Sequence, residues 1–537
     1  MNVAEYLMEG KGDSGTALVT LDGTYTYSDL RRAAAAVAGN LVRYGGRKGD
    51  RVLLLSDNGF FWVAAYLGTL HAGLVCVPLP VKAARDEVEY IVGNAEPAFA
   101  FVEARSAQKF VPALRDAKVF CDRGGVPGVP DAIAFEELQR QAPDSPVPPA
   151  EVEPNEIAVL MFTSGSTGKP RGVMVSARNI IANTNSIIEY LSLTAADRIL
   201  AVLPFHYSFG TSLLHTHLRV GGSIVVEPRF MYPDKVLQRM LQTECTGFAG
   251  VPSHYQILLR RSGLASMRFP RLRYVQQAGG HLAPSFVKEL RQALPDTQIF
   301  IMYGLTEAAP RLSYLPPELL ASKPGSIGKA IPGVKLYVLD ESGQQVRPGK
   351  IGHIVAEGEN ITLGYWRNQE DTAKYFRDGR LHTCDLATVD EDGFIYIVDR
   401  AADFLKCGGQ RVSCRYLEEV LLECGSLVEA AVIGIADAEL GEAAKAFVVP
   451  RERKAEGMAE SLHLFCRSHL PPPLVPRQIV IVDSLPKNSS GKVLKQKLRE
   501  QHLPGGGELR AHGAGSAVEV EGPRAGNGDE GHDSSRH

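Results

Sequence analysis

The sequence predicts an α/β protein, with a large N-terminal domain of layered α/β subdomains plus a β-rich subdomain, and a small α+β C-terminal domain. Three observations carry this. Short apolar strands alternate with helical segments from about residue 15 to 400, the texture turns β-rich from about residue 332, and helix and strand mix in a further pattern after residue 400.

The strands of the first part, at 51–55, 99–102, 157–162, 199–203, 223–226, 274–278 and 298–302, are near-continuous apolar runs, as expected of strands covered on both faces. Residues 58–81 carry no Asp, Glu, Lys or Arg, a length that raises the question of a membrane span. Gly68, Gly73, Pro78 and Pro80 interrupt it. A buried helix over 60–71, stopped by Gly73 and followed by a strand at 74–77, accounts for the whole stretch. A Pro-rich connector at 141–154 precedes the strand at 157–162. In the β-rich part, strands at 335–339, 352–356 and 394–398 are separated by the turn signals Glu341-Ser342-Gly343 and Asp390-Glu391-Asp392-Gly393. The last unit reads as a helix at 415–424, strands at 429–434 and 444–449, a helix at 458–468 and a strand at 478–482. From residue 503 nine glycines in 35 residues and the lack of apolar period predict a disordered tail. The expected domains are therefore 1–399, 400–502 and the tail 503–537.

Charge and cysteine usage exclude several classes. With 58 Lys+Arg against 61 Asp+Glu, the net charge of −3 offers no counterion-release drive, so nucleic acid is not an expected partner. Eight scattered cysteines without a CxxC pair or zinc spacing read as reduced thiols, and the N-terminus has early acids and no apolar h-region; a cytoplasmic protein without integral membrane association is expected. His206, His215 and His217 read as packing or polar-face residues rather than metal ligands, because the last two are two apart and would not share a helix face.

The strongest chemical signal is Thr163-Ser164-Gly165-Ser166-Thr167-Gly168-Lys169-Pro170-Arg171-Gly172. Small, hydroxyl-bearing and glycine residues let backbone N–H groups and hydroxyls converge on phosphate oxygens, with Lys169 and Arg171 adding charge. It is not a Walker A loop, which has Ser or Thr after the Lys and opens a helix. Here Pro170 follows the Lys and an apolar strand follows the loop, so it reads as a strand-loop-strand phosphate grip.

Further along come Tyr303-Gly304-Leu305-Thr306-Glu307, then Leu381-His382-Thr383-Cys384-Asp385-Leu386, Asp399-Arg400 through Lys406-Cys407-Gly408-Gly409-Gln410-Arg411-Val412, and Pro486-Lys487-Asn488-Ser489-Ser490-Gly491-Lys492. With the loop, and in this order, these segments resemble the motifs of the adenylate-forming superfamily: acyl- and aryl-CoA synthetases, adenylation domains and luciferase. The resemblance spans roughly residues 15–500. It implies ATP, Mg²⁺ and coenzyme A, or a carrier-protein phosphopantetheine, as cofactors, and a small-molecule carboxylate as substrate. By the same resemblance the phosphate grip would be Thr163 through Lys169, with Gly279, Gly280 and Gly304 also at the nucleotide. Thr306 would contact the α-phosphate, Tyr303 would stack on adenine, Asp385 and Arg400 would hold the ribose, and Glu307 would ligate Mg²⁺. Lys492 would be the catalytic lysine, carried on a mobile C-terminal lid that then turns so that the thiol enters near Gly409. Attack of a carboxylate on an α-phosphate brings two anions together, which is why the site needs positive charge and a fixed line of attack.

Three departures stand out. Ala402 occupies the hinge position where Asp or Lys is usual, with Asp403 beside it; Cys384 stands where Gly is usual, and Cys414 where Pro is usual. By the same resemblance the acyl pocket would be lined by Phe205, Tyr207, Phe209, Phe248, Val251, Gln277, Gly279, His281 and Ala308. No acid lies in 203–210 to pair an α-ammonium, so an apolar fatty or aromatic acid is expected rather than an amino acid. The expected activity is acyl-AMP formation with release of pyrophosphate, then transfer to CoA. The alternatives are loading of an acyl carrier protein and a catalytically silent nucleotide-binding protein. The sequence admits a homodimer without specifying one.

Overall fold

The computed structural model describes all residues except 142–146, 165–168, 401–403, 408–409, 453–456, 489–490, 503–518 and 522–537. It divides into two compact units, Met1–Arg400 with Lys487–Lys492, and Ala401–Pro486 with Val493–His537.

Among the described residues the first unit contains three sheets. A seven-stranded sheet runs in the order Ile133–Ala134, Lys118–Cys121, Phe99–Val102, Arg51–Leu55, Val75–Leu79, Ile157–Ser164, Pro170–Ser176 and is parallel up to its last, antiparallel strand. A nine-stranded sheet has the parallel centre Gln298–Tyr303, Tyr274–Gln277, Gly247–Gly250, Arg198–Ala201, Ser223–Val226, Thr16–Val19. Helices Tyr27–Arg43, Phe60–His71, Ala177–Leu191 and Ser208–Val220 bury apolar side chains in one core with residues of both sheets, as parallel strands require cover on each face. The third sheet is antiparallel and contains Val334–Leu339, Gly352–Gly358, Phe376–Arg377, Arg380–Val389 and Ile395–Arg400.

The charge-free stretch is the buried helix Phe60–His71 followed by the strand Val75–Leu79. A Cβ on Gly68 would lie 2.4 Å from the Val37 side chain, so glycine permits the close approach of this helix to Tyr27–Arg43. Among the described residues no helix is long and apolar enough to cross a membrane.

The second unit forms a sheet from Phe404–Cys407, Gln410–Ser413, Leu427–Asp437, Gly441–Pro450, Gln478–Ile481 and Glu519–Glu521, with helices Cys414–Glu423 and Met458–His469. The last strand falls within the segment expected to be a tail. Glu519–Glu521 pairs antiparallel with Gln478, Ile479 and Val480, whose other edge is taken by Gly441–Pro450, so this short segment satisfies backbone groups an edge strand leaves open. The rest of the expected tail lies outside the described residues.

His215 and His217 are buried packing residues. The His215 Nε2 lies 2.7 Å from the Tyr66 hydroxyl, and His217 spans the Leu213 carbonyl and the Tyr274 hydroxyl, each at 2.9 Å. Burial lowers the His215 pKa to about 3 and that of His217 to about 4.

Candidate active site

The segment 304–311 follows the strand Gln298–Tyr303, at the carboxyl end where open parallel sheets place their ligands. A Cβ on Gly304 would lie 1.9 Å from the Pro310 carbonyl oxygen, so the chain can double back here only through glycine. Thr306–Ala308 forms one tight turn. Two carboxamides hold the segment that follows. Asn360 donates to the carbonyls of Ala308 and Arg311 at 3.1 and 2.8 Å, and Asn183 donates to the same carbonyls at 3.4 and 3.1 Å.

Within this frame, Thr306 Oγ1 lies 3.1 Å from Ser208 Oγ at the start of the helix Ser208–Val220. The Tyr303 hydroxyl donates to Asp385 Oδ2 at 2.6 Å, which joins the residue expected at the adenine to the one expected at the ribose. Asp385 is 5% exposed, and its backbone pairs with Arg400 in the neighbouring strand. Cys384 before it has φ 62°, the left-handed region that explains why glycine is usual at this position.

Glu307 is buried, and its Oε1 accepts a 2.8 Å hydrogen bond from the Tyr365 hydroxyl. Its main-chain carbonyl accepts from both the N–H and the hydroxyl of Thr362, each at 3.0 Å. Burial first, then the Glu307 carboxylate, push the Tyr365 phenol far above its ordinary pKa, so Tyr365 remains the donor.

The phosphate grip is a hairpin of Ile157–Ser164 and Pro170–Ser176, in which Thr163 pairs with Arg171 and Ser164 with Pro170. Its tip, Gly165, Ser166, Thr167 and Gly168, lies outside the described residues. Thr163 Oγ1 is buried without a hydrogen-bond partner among the described residues. Lys169 is exposed, its ammonium 5.9 Å from the Tyr90 ring centroid. Arg171 does not add free charge to the grip. Its guanidinium lies 4.7 and 5.1 Å from the ring centroids of Tyr365 and Tyr375 and 3.5 Å from Asp371, so its charge is already met by two ring faces and a carboxylate.

The residues expected at the acyl group fall into two sets. Phe205, Phe209 and Phe248 are packed: Phe205 against Trp62 at 5.3 Å, Phe209 beneath the Arg311 guanidinium at 4.5 Å, and Phe248 edge-on to Tyr255 at 5.7 Å. Tyr207, Val251 and Gly279 converge, since a Cβ on Gly279 would stand 3.0 Å from the Tyr207 hydroxyl and 2.9 Å from Val251 Cγ1. Gln277 donates to the Gly280 carbonyl at 2.8 Å, Ala308 is fully buried, and His281 is half-buried.

Lys492 is exposed at the end of a small loop, its N–H donating to Asn488 Oδ1 at 2.9 Å. Residues Lys487–Lys492 group with the first unit, where Ser253 donates to the Gly491 carbonyl at 3.1 Å. Ala402, Asp403, Gly408 and Gly409 lie outside the described residues.

Sequence reading missed Tyr365, Thr362, Asn183, Asn360 and Ser208. A Gly364-Tyr365-Trp366 run in a polar stretch was the visible signal for the first.

This fold and this succession of residues define an adenylate-forming enzyme, an AMP-forming acid–thiol ligase. The chain belongs to the AMP-binding enzyme family: residues 9–366 match its family model, and residues 416–492 match that of the AMP-binding enzyme C-terminal domain. It is 32% identical over 495 residues to a feruloyl-CoA synthase of an Amycolatopsis species, covering 91% of this chain and 94% of that one. It is 29% identical over 518 residues to a long-chain-fatty-acid–CoA ligase of Salmonella typhimurium, covering 90% and 91%. Among solved structures it resembles o-succinylbenzoate coenzyme A synthetase from Bacillus subtilis in complex with ATP and magnesium ion, with a TM-score of 0.80, 26% identity, and coverage of 93% of this chain and 99% of that one.

Proposed function

We propose that the protein uses ATP to convert an apolar carboxylic acid, fatty or aromatic, to its acyl-adenylate, and then transfers the acyl group to the thiol of coenzyme A. The observation that supports this best is the grouping around one tight turn: Thr306 and Glu307 on it, Tyr303 before it bonded to Asp385, and Tyr365 tying Glu307 to the phosphate hairpin.

In the first half-reaction a carboxylate oxygen of the acid forms a bond to the α-phosphorus, and the bond from that phosphorus to the bridging oxygen breaks, releasing pyrophosphate. Lys492 brings an ammonium to the anionic oxygens as charge develops on them. The Thr306 hydroxyl, placed by Ser208, donates to the α-phosphate. Tyr303, its hydroxyl fixed on Asp385, offers a ring face to adenine, and Asp385 accepts from the ribose hydroxyls. Glu307 offers a buried carboxylate, the hard oxygen donor that would suit Mg²⁺, and Thr163 offers the phosphates a hydroxyl that has no partner among the described residues. When bound, that ion neutralises phosphate charge. In the second half-reaction the thiol attacks the acyl carbon and AMP leaves.

Tyr207, Val251 and Gly279 would border the acid, and residues 203–210 hold no carboxylate to attract an ammonium. The relatives with fatty-acid and feruloyl names both agree with an apolar acid. The test is a mass-spectrometric screen of fatty acids, benzoates and hydroxycinnamates with ATP, Mg²⁺ and CoA. Acyl-AMP followed by acyl-CoA from at least one acid is expected; acyl-AMP with no CoA thioester from any accepted acid refutes the second half.

A further inference from the structure

We propose that Tyr365 is a positioning residue: it fixes the Glu307 carboxylate before any ligand arrives and couples it to the root of the phosphate hairpin. The inference rests on the reading of Glu307 as a metal-ligating acid.

Two anchors restrain Glu307, both from one stretch of chain. Thr362 holds its carbonyl through two hydrogen bonds, and the Tyr365 hydroxyl holds Oε1 at 2.8 Å. A glutamate has three rotatable side-chain bonds, and freedom removed in the unliganded protein need not be removed on binding. The second oxygen, Oε2, is the one Tyr365 leaves unengaged.

Tyr365 is itself over-determined. Its ring is 3% exposed and meets the rings of Tyr375 and Phe376 edge-on at 5.9 and 5.7 Å, while Arg171 lies 4.7 Å from its centroid. Its N–H donates to Thr372 Oγ1 at 2.9 Å. Gly364 makes this possible, because at φ 108° a Cβ there would lie 2.5 Å from Thr372 Cγ2. The hydroxyl therefore has little choice of direction.

The same stretch is stitched to the returning strand of the phosphate hairpin. Leu363 donates to the Met174 carbonyl at 3.1 Å, Met174 to that of Gly364 at 2.9 Å, and Trp366 to that of Gly172 at 2.7 Å. Arg171, one residue before Gly172, adds its guanidinium to the Tyr365 ring. A shift of the hairpin is thus transmitted to the tyrosine, and through its hydroxyl to the carboxylate. Such partners of a metal ligand commonly set affinity without touching the metal.

Tyr365→Phe removes the hydroxyl and keeps the ring. The direct readout is Mn²⁺ binding to the full-length protein by electron paramagnetic resonance with a non-hydrolysable ATP analogue present, with the Mg²⁺ dependence of pyrophosphate release alongside. Tyr365→Phe is expected to raise half-saturating metal roughly tenfold while metal-free nucleotide affinity stays unchanged. Glu307→Gln should raise it at least as far, and the double variant should add little to Glu307→Gln, since both remove one interaction. Arg171→Lys, which gives up the planar stack, should shift saturation in the same direction by a smaller factor and serves if Tyr365→Phe does not fold. Unchanged saturation in Tyr365→Phe, with a clear shift in Glu307→Gln, overturns the positioning role. No shift in Glu307→Gln overturns the metal assignment, and the proposal with it.

Discussion

Replacing Asp385 by Asn tests the nucleotide half of the site. Asp385 is 5% exposed and bonded to Tyr303, so a ribose hydroxyl reaching it would meet an acceptor that water cannot readily replace. The amide keeps the shape and an oxygen for Tyr303 but loses the charge. A hydrogen bond to a charged group contributes about 1.5–3 kcal/mol. At about 1.4 kcal/mol per tenfold, the loss for one ribose hydroxyl is roughly 10- to 100-fold in kcat/KM for ATP. The assay is ATP–pyrophosphate exchange with ATP and with 2′-deoxy-ATP. The unaltered protein is expected to prefer ATP, and Asp385→Asn to lose both rate and most of that preference. Exchange within about threefold of the unaltered protein, or an unchanged preference, would show that Asp385 does not face the ribose.

Other outcomes follow from the same structure. Gly304→Ala sets a Cβ against the Pro310 carbonyl, a backbone atom that cannot rotate away, and should cut pyrophosphate release by about 100-fold or more; near-normal activity would mean the turn is not critical. Cys384→Gly should be more stable than Cys384→Ala by about 1 kcal/mol in urea unfolding, because only glycine takes φ 62° without strain; equal midpoints would contradict this. His215 and His217 have folded pKa values depressed below 6.5, so their contribution is present above that value and is lost as pH falls. Between pH 7.5 and 5 each should cost about 2 kcal/mol of stability, and His215→Gln should remove about half of the combined loss; an unaltered pH slope would refute it.

Much of the framework was legible in the sequence because its physical causes are local. The strands Arg51–Leu55 and Phe99–Val102 and the helix Phe60–His71 stand where apolar runs and breakers put them. Edges moved where backbone pairing extends past the apolar core: Leu427–Asp437 and Gly441–Pro450 form a long hairpin in which partners, not hydropathy, set the ends. The motif residues were visible as types and spacing. Their supports were not. Tyr365 meets Glu307 across 58 residues, and Asn183 meets the Arg311 carbonyl across 128, through tertiary packing that leaves no periodic trace. Arg171 showed why charge in a motif is not charge in a site, since two tyrosines and Asp371, distant in sequence, claim it.

The most direct test of the account follows one acid accepted in the mass-spectrometric screen through both half-reactions, in the unaltered protein and in Lys492→Ala. Acyl-AMP and then acyl-CoA are expected from the unaltered protein, with loss of acyl-AMP formation by about 100-fold or more in Lys492→Ala, the size typical of removing one transition-state electrostatic contact. Acyl-AMP formed at the same rate by Lys492→Ala would contradict the account.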